Sequence, residues 1–281
     1  MGLRLGVDLG GTKIEIAVLD ERGGEILRRR APTPHAGYDD ALQVFSGLIE
    51  EAEREAGAPC TVGVGMPGTL HPRSGRVINA YNTPFNGRRL KQDLEARVRR
   101  EVRFANDANC FALSEAIDGA GEGKSVVFGA ILGTGVGGGI VIERAVLGGH
   151  HGIGGEWGHT PLPWMTRDEY PGPRCNCGRL GCIEQWCSGP ALGREKDARG
   201  EANALAIYAD RLARAFSLVI NFLDPEVIVV GGGVSRESRL YASVPELLSR
   251  YVYAPSVETP IVPARHGDAS GVRGAAMLWR A

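Results

Sequence analysis

The sequence LRLGVDLGGTKIEIAVLD occupies residues 3–20. Its first part, Leu3–Leu9, is mostly apolar, and its last part, Lys13–Asp20, alternates with a period of two over Ile14–Val18. A period-two alternation is typical of a β-strand, and paired glycines are typical of a tight turn. The stretch therefore predicts a strand, a turn at Gly10-Gly11 and a second strand.

The same pattern returns later in the chain. Val126–Leu132 is apolar and is followed by the glycine-rich Gly133–Gly135 and by a second apolar segment, Ile140–Glu143. A third apolar segment, Val227–Val230, leads into Gly231–Gly233. Two strand–turn–strand patterns, one near the start of each half, indicate a duplicated architecture.

Segments with helical spacing, such as Tyr38–Gly57, separate these strands, and a glycine-rich break follows residue 118. Strands that alternate with helices predict an α/β fold. At roughly 150 residues per domain, a chain of 281 residues is expected to form two domains. The predicted domains are 1–118, which a C-terminal helix over 271–281 rejoins, and 119–270.

Composition excludes several classes of function. The chain has 32 basic and 33 acidic residues, and no basic block suggests binding to nucleic acid or to a membrane surface. Ser125–Ile142 carries no charge, but its glycine content favours a strand–turn–strand over a membrane helix. No signal segment precedes the first strand, so we expect a cytoplasmic protein. The 41 glycines predict many tight turns or close backbone contacts with a ligand.

Two glycine turns are candidates for binding phosphate. Asp8–Lys13 combines turn amides with the side chains of Thr12 and Lys13, and Asp8 is suited to hold Mg²⁺ through water. A plain β-hairpin explains the same residues. Gly133–Gly138 matches G-x-G-x-x-G, but a strand follows it, which argues against dinucleotide binding and favours a second phosphate turn.

Asp107 follows a predicted strand and begins a predicted helix. A carboxylate at this position can accept the proton of a substrate hydroxyl that attacks phosphorus. Alternatively, Asp107 or Asn106 only caps the helix.

His159, Cys175, Cys177 and Cys182 form a Cys₃His set of the kind that binds structural Zn²⁺. Reduced free thiols or a redox pair are the alternatives. Glu156 and Glu184 lie close to these residues in sequence. They are either held toward a polyol or solvated at the surface.

Together these motifs resemble the sugar kinases of the ROK family, across essentially the whole chain. The resemblance implies an actin-like ATPase (ribonuclease H-like) fold with a nucleotide and sugar cleft between the domains and a small zinc-binding loop. The motifs that carry it are Asp8-x-Gly-Gly-Thr-Lys13, Ala105-Asn-Asp-Ala-Asn-Cys110, Leu132-Gly-Thr-Gly135, Gly155-Glu-Trp-Gly-His159, Cys175-x-Cys-Gly-x-x-Gly-Cys-x-Glu184 and Val230-Gly-Gly-Gly233.

The resemblance also implies roles for individual residues, with ATP, Mg²⁺ and structural Zn²⁺ as cofactors. Asp107 is implied as the catalytic base, and His159 serves both zinc and sugar. The residues implied to bind the sugar are Asn82, Asn106, Asp107, Glu156, His159 and Glu184. Those implied to bind ATP are Asp8, Gly10, Gly11, Thr12, Lys13, Gly133, Thr134, Gly135, Gly231 and Gly232. A homodimer is a further implication.

The motifs favour one acceptor sugar. Gly155–Trp164 and His266–Ala276 are most similar to bacterial fructokinases, whereas Asn109–Glu115 and Leu132–Gly139 equally resemble N-acetylglucosamine kinases. We therefore predict transfer of the γ-phosphate of ATP to the 6-hydroxyl of fructose. The alternatives are an N-acetylglucosamine kinase, a glucokinase or mannokinase of the same family, or a sugar-sensing member without catalysis. The region 188–210 is shorter than in relatives, which leaves the adenine contacts open.

Overall fold

The computed structural model describes residues 2–34, 37–80 and 83–279. The chain divides into two compact units. The first takes in the described residues of Met1–Ser114, Val146–Gly154 and Ala269–Ala281. The second comprises Glu115–Ala145 and Gly155–Asp268.

The regular elements are numbered in chain order. The strands within the described residues are β1 (Arg4–Leu9), β2 (Lys13–Leu19), β3 (Glu25–Pro32), β4 (Thr61–Met66), β5 (Thr69–Leu70), β6 (Val77–Ile78), β7 (Val102–Asn106), β8 (Val126–Leu132), β9 (Val136–Ile142), β10 (Ala145–Val146), β11 (Val227–Gly231) and β12 (Ile261–Pro263). The α-helices in the same residues are α1 (Tyr38–Ala56), α2 (Leu90–Val98), α3 (Asp107–Asp118), α4 (Glu184–Cys187), α5 (Gly189–Arg199), α6 (Glu201–Leu223), α7 (Leu240–Leu248) and α8 (Ser270–Met277). Short 3₁₀ turns occupy Trp157–His159, Gly233–Arg236 and Gly267–Ala269.

The first unit is built on a five-stranded sheet with the order β3-β2-β1-β4-β7. The strands β1, β2 and β3 form an antiparallel meander, whereas β4 and β7 continue the sheet parallel to β1. Apolar residues of β1, β2 and β4 pack against the buried face of α1. Because β1, β4 and β7 are parallel, the loops that follow all three leave the sheet at the same edge.

Helix α8 packs directly on the backbone of this sheet. A Cβ atom at Gly63 of β4 would lie 1.8 Å from the carbonyl oxygen of Ala275, and one at Gly6 of β1 would lie 2.0 Å from that of Val272. Glycine at these two strand positions therefore allows the C-terminal helix to approach.

The second unit repeats this strand order, as β10-β9-β8-β11-β12. Here β8 pairs antiparallel with β9 and parallel with β11, and β11 pairs parallel with β12. β9 begins at Val136, four residues before the predicted start at Ile140, because Gly137 and Gly139 already pair with β8. Glycines in a strand weaken the sequence signal for it, but they do not prevent backbone pairing.

Helix α6 fills the core of the second unit with a buried face that includes Tyr208, Leu212 and Phe216. It begins at Glu201, two residues after the end of α5 at Arg199, and the intervening Gly200 makes the break with φ 77°. No helix among the described residues has both the length and the apolar character needed to cross a membrane.

A buried ion-pair network holds the segment 160–182 to α6. Glu169 accepts hydrogen bonds from Arg211 Nε at 2.8 Å and from Arg214 Nη1 and Nη2 at 2.7 and 2.9 Å. The backbone N–H of Thr166 also donates to Glu169, and Arg214 donates to the carbonyl of Trp164. Burial alone raises the pKa of Glu169, but the hydrogen bonds from Arg214 and Arg211 outweigh burial and lower the pKa to about 2.

We predict that Glu169→Ala lowers the free energy of unfolding by about 3 kcal/mol, because two buried guanidinium groups lose a shared carboxylate and keep Glu195 and Asp210 as acidic partners. Glu55→Ala is the matched control, since it breaks an exposed pair with Arg29 that is worth about 1 kcal/mol or less. Denaturant unfolding of both variants measures the difference, and equal losses would contradict the prediction.

The same network predicts a pH dependence. Because the pKa of Glu169 is lower in the folded chain than its ordinary value of 4.5, its stabilising effect is complete above pH 4.5. The effect declines as the pH falls from 4.5 toward 2. The stability difference between the wild type and Glu169→Ala is therefore expected to shrink over that interval.

Candidate functional site

The turn at Gly10–Lys13 in the first unit is braced from β3. Gly10 N–H donates to the carbonyl of Lys13 at 2.9 Å. Thr33, which follows β3 and is buried, donates through its N–H to Thr12 O at 3.0 Å and through its hydroxyl to Gly10 O at 2.7 Å. The sequence does not indicate this role of Thr33, because the partners of Thr33 lie more than twenty residues earlier in the chain.

Asp8 lies at the end of β1, beside this turn. Its carboxylate approaches the backbone of Gly271, where a Cβ would come within 3.2 Å of Oδ2. Burial raises the pKa of Asp8 to about 6, with a further rise from Glu15 and an opposing effect of Lys13. A nearby cation would favour the ionised form, so this carboxylate suits the predicted role of holding Mg²⁺ through water.

Lys13 pairs with a buried acid of β2. Its Nζ lies 3.2 Å from Oε2 of Glu15, a side chain that is 1% exposed. Arg28 and Arg30 of β3 also bind Glu15. Burial raises the pKa of Glu15, but its hydrogen bonds with Arg30, Arg28 and Lys13 produce a net lowering. Lys13 itself is half-exposed, which leaves its ammonium accessible to a phosphate.

Asn106 and Asp107 lie at the same edge of this sheet. Asn106 ends β7, and its Nδ2 donates to Gly68 O at 3.1 Å. Its Oδ1 accepts the N–H of Ala108 at 2.9 Å, which is a helix-capping interaction. Asp107 begins α3, and its Oδ1 lies 2.8 Å from the same N–H. Asn82, also predicted to bind sugar, lies outside the described residues.

The second glycine turn, Gly133–Gly135, follows β8 in the second unit. Gly232 lies against it with φ 81°, and a Cβ there would lie 2.5 Å from Leu132 O. Next to this turn is a cavity of about 650 Å³. Its lining residues are Gly133, Thr134, Gly189, Pro190, Leu192, Lys196, Gly233, Val234, Arg236 and Glu237. Two glycine turns and two basic side chains at one cavity are suited to binding the phosphates and nucleoside of ATP.

The segment Gly155–His159 is fixed to the second sheet by Trp157. The indole N–H donates to Gly137 O at 2.9 Å, and the ring stacks on Phe216 with centroids 5.4 Å apart. A Cβ at Gly158 would lie 2.1 Å from Val136 O, so the segment packs backbone to backbone on β9. Glu156 and His159 are the residues that flank Trp157 and Gly158 in this packed segment.

His159, Cys175, Cys177 and Cys182 come together as predicted from their spacing. Their ligand atoms all lie within 4.8 Å of one another. Cys175 Sγ lies 3.6 Å from His159 Nδ1, and Cys177 Sγ lies 3.6 Å from Cys182 Sγ. A tetrahedral zinc ion with Zn–S bonds of about 2.3 Å separates its sulfur ligands by about 3.8 Å, whereas a disulfide requires about 2.05 Å. The donor set and its distances therefore fit zinc.

Glu156 and Glu184 both lie near this cluster. Burial raises the pKa of Glu156, an effect that His159 opposes and Glu184 reinforces. Glu184 begins α4; its Oε1 lies 3.7 Å from Cys175 Sγ, and its Oε2 accepts the N–H of Val136 at 3.1 Å. Glu184 is thus bound within the protein and is not a solvated surface acid.

Comparisons with known proteins agree with this architecture. An N-acetyl-D-glucosamine kinase of Pectobacterium atrosepticum is 39% identical to the chain, with 97% of each chain covered. The crystal structure of a ROK hexokinase from Thermus thermophilus matches with a TM-score of 0.86 and 31% identity, over 98% of this chain and 97% of that one. A ROK family glucokinase from Streptomyces griseus, solved in complex with glucose and AMPPNP, matches with a TM-score of 0.80 and 28% identity over 99% of both chains. The family model described as "ROK family" matches residues 4–281, and the chain belongs to the ROK family of sugar kinases.

Proposed function

We propose that the chain is an N-acetyl-D-glucosamine kinase that transfers the γ-phosphate of ATP to the 6-hydroxyl of this sugar. The observation that carries the choice of acceptor is the 39% identity with an enzyme of that name, over nearly the whole length of both chains. We propose N-acetylglucosamine in place of the fructose predicted from the motifs. An N-acetylglucosamine kinase is the first alternative that the motifs leave open.

Three residues of the motifs that suggested fructose have packing roles. In Gly155–Trp164, Trp157 is buried against Phe216, and Gly158 lies against Val136 O. In His266–Ala276, a Cβ at Gly274 would lie 1.7 Å from Cys110 O. These contacts limit which side chains fit at Trp157, Gly158 and Gly274. Similarity at these three positions therefore reflects how the protein packs rather than which sugar it binds.

On the donor side, the two glycine turns supply backbone amides for the phosphates of ATP. Lys13 adds a positive charge beside the first turn, and Asp8 provides the carboxylate for the water shell of Mg²⁺. When bound, Mg²⁺ neutralises charge that develops on the phosphates. Gly231–Gly233 and the cavity beside them receive the nucleoside. We thus assign the donor roles to the same residues as the sequence motifs did.

On the acceptor side, Asp107 accepts the proton of the sugar hydroxyl. As that proton leaves, the hydroxyl oxygen bonds to the γ-phosphorus and the bond to the β-phosphate oxygen breaks, which releases ADP. Asn106 already caps α3 through Ala108 N–H, so the structure of this helix start does not depend on Asp107 alone. Asn82, Asn106, Glu156, His159 and Glu184 are the further residues that we assign to the sugar.

The cluster of His159, Cys175, Cys177 and Cys182 is proposed to hold a structural zinc ion. His159 faces the cysteines through Nδ1, which leaves Nε2 for the sugar. The ion would tie His159, at the end of the 3₁₀ turn Trp157–His159, to the loop 175–182 and so keep the sugar-binding acids in place.

The acceptor is tested with a panel of N-acetylglucosamine, N-acetylmannosamine, glucose, mannose and fructose, using MgATP and coupled detection of ADP. We expect N-acetylglucosamine to give the highest kcat/KM, at least about tenfold above fructose, because specific contacts to a substituent discriminate strongly. A higher kcat/KM for fructose would contradict the proposed acceptor while leaving the kinase assignment in place.

Asp107→Asn is expected to lower kcat by about 10²–10⁴-fold, the usual contribution of a general base. The matched control is Asp39→Asn, which neutralises an exposed acid in the first turn of α1. Both variants remove a charge from a helix start, so a purely helix-stabilising role predicts similar small effects. Retention of a tenth of the wild-type kcat in Asp107→Asn would refute the assigned role.

Protein purified without chelator is expected to contain about one zinc ion per chain, as a closed Cys₃His site requires. Cys177→Ser is expected to lose most of this zinc, and since Cys177 is exposed, the substitution opens no cavity. Cys60→Ala, at a buried thiol outside the cluster, is the control and is expected to keep its zinc. Elemental analysis measures all three proteins, and far less than one zinc in the wild type would rule out the site.

A further inference from the structure

The segment Glu184–Gly189 binds both ends of the glycine turn after β8. At one end, Glu184 Oε2 accepts the N–H of Val136 at 3.1 Å. At the other end, Gly189 N–H donates to Gly133 O at 2.7 Å. Within the turn, Gly133 N–H donates to Gly135 O at 3.0 Å. The turn is therefore held from outside by one short segment of the chain.

The same segment continues directly from the Cys₃His cluster. Cys182 is two residues before Glu184, and the other carboxylate oxygen of Glu184 lies 3.7 Å from Cys175 Sγ. Ile183 N–H donates to Thr160 O at 2.9 Å, next to His159. The carboxylate of Glu184 thus touches a metal-ligand cysteine with one oxygen and a phosphate-turn amide with the other.

Contacts at Val136 leave the turn little freedom to move. Val136 is 5% exposed, and a Cβ at Gly158 would lie 2.1 Å from its carbonyl oxygen. A Cβ at Gly135 would lie 2.6 Å from Glu184 Oε2, so the carboxylate rests on the backbone of the turn. Without Glu184, the N–H of Val136 would lose its acceptor in a buried place, which is costly.

We propose that Glu184 is a positioning residue that couples the Cys₃His cluster to the phosphate turn, so that zinc in the cluster strengthens nucleotide binding. The inference rests on the proposed function, in that it takes Gly133–Gly135 to bind phosphate and the cluster to hold zinc. It adds a role for Glu184 that does not involve the sugar. In this arrangement, a zinc ion would hold Cys175 and Cys182 in place. These cysteines would position the carboxylate of Glu184, and Glu184 would position the N–H of Val136.

The test is calorimetric titration of the full-length, zinc-loaded protein with MgADP in the absence of any sugar. Glu184→Ala is expected to raise the Kd about tenfold, the effect of one unsatisfied buried amide. Glu184→Gln is expected to stay within about threefold of the wild type, because its amide oxygen can accept the same N–H.

Glu156→Ala is the matched control. Glu156 is also an acid near the cluster and is also assigned to the sugar, but the described residues show no hydrogen bond from its side chain to the glycine turn. Its Kd for MgADP is expected to equal that of the wild type. If Glu184→Ala also equals the wild type, or if Glu156→Ala is weakened as much as Glu184→Ala, the inference is overturned.

The second part of the test measures MgADP binding after zinc has been removed. Chelator-treated wild type is expected to bind MgADP about tenfold more weakly, and the same treatment is expected to add little to Glu184→Ala, because both changes release the same contact. Circular dichroism checks that the treated proteins remain folded. Additive effects would overturn the coupling.

The outcome also separates this inference from the proposed acceptor. If the wild type prefers another sugar but shows the predicted MgADP pattern, the proposed acceptor fails and the coupling stands. If the zinc-loaded wild type does not bind MgADP, both fail.

Discussion

The hydrogen bond from Val136 N–H to Glu184 is the contact on which the candidate site of the second unit depends. It places the end of the Gly133–Gly135 turn and, with Gly189 at the other end, sets which backbone groups remain available to a ligand. Glu184 is in turn placed by the cysteine loop, and that loop is held to α6 by the ion pairs of Glu169. A buried charge network at α6 therefore supports the Gly133–Gly135 turn, although the network does not touch that turn.

In the first unit, charged side chains surround the corresponding glycine turn, Gly10–Lys13. This turn is braced by Thr33 and lies beside two carboxylates in different environments. Glu15 is neutralised by Lys13, Arg28 and Arg30, whereas Asp8 has a raised pKa because burial is not balanced by a comparable set of cations. A bound Mg²⁺ ion would supply positive charge beside Asp8, so we infer that Asp8, rather than Glu15, is the acid of this pair that serves the metal ion.

Sequence patterns predicted the turns and strand pairs because these depend on local periodicity and on glycine. The cluster of His159 with three cysteines was also predictable, since few other arrangements explain that spacing. Thr33, Glu169 and Gly189 were not, because each acts on a partner distant in sequence and belongs to a residue type that is common on surfaces or at turns. Long-range hydrogen bonds leave no local signature.

The choice of acceptor shows a different limit of sequence motifs. The longest matches to fructokinases include Trp157, Gly158 and Gly274, whose contacts are with the core and with backbone carbonyls. A kinase can exchange one sugar for another only through positions that can vary without breaking such contacts. Acceptor preference must therefore be carried by positions other than Trp157, Gly158 and Gly274, so a match at these three positions does not identify the sugar.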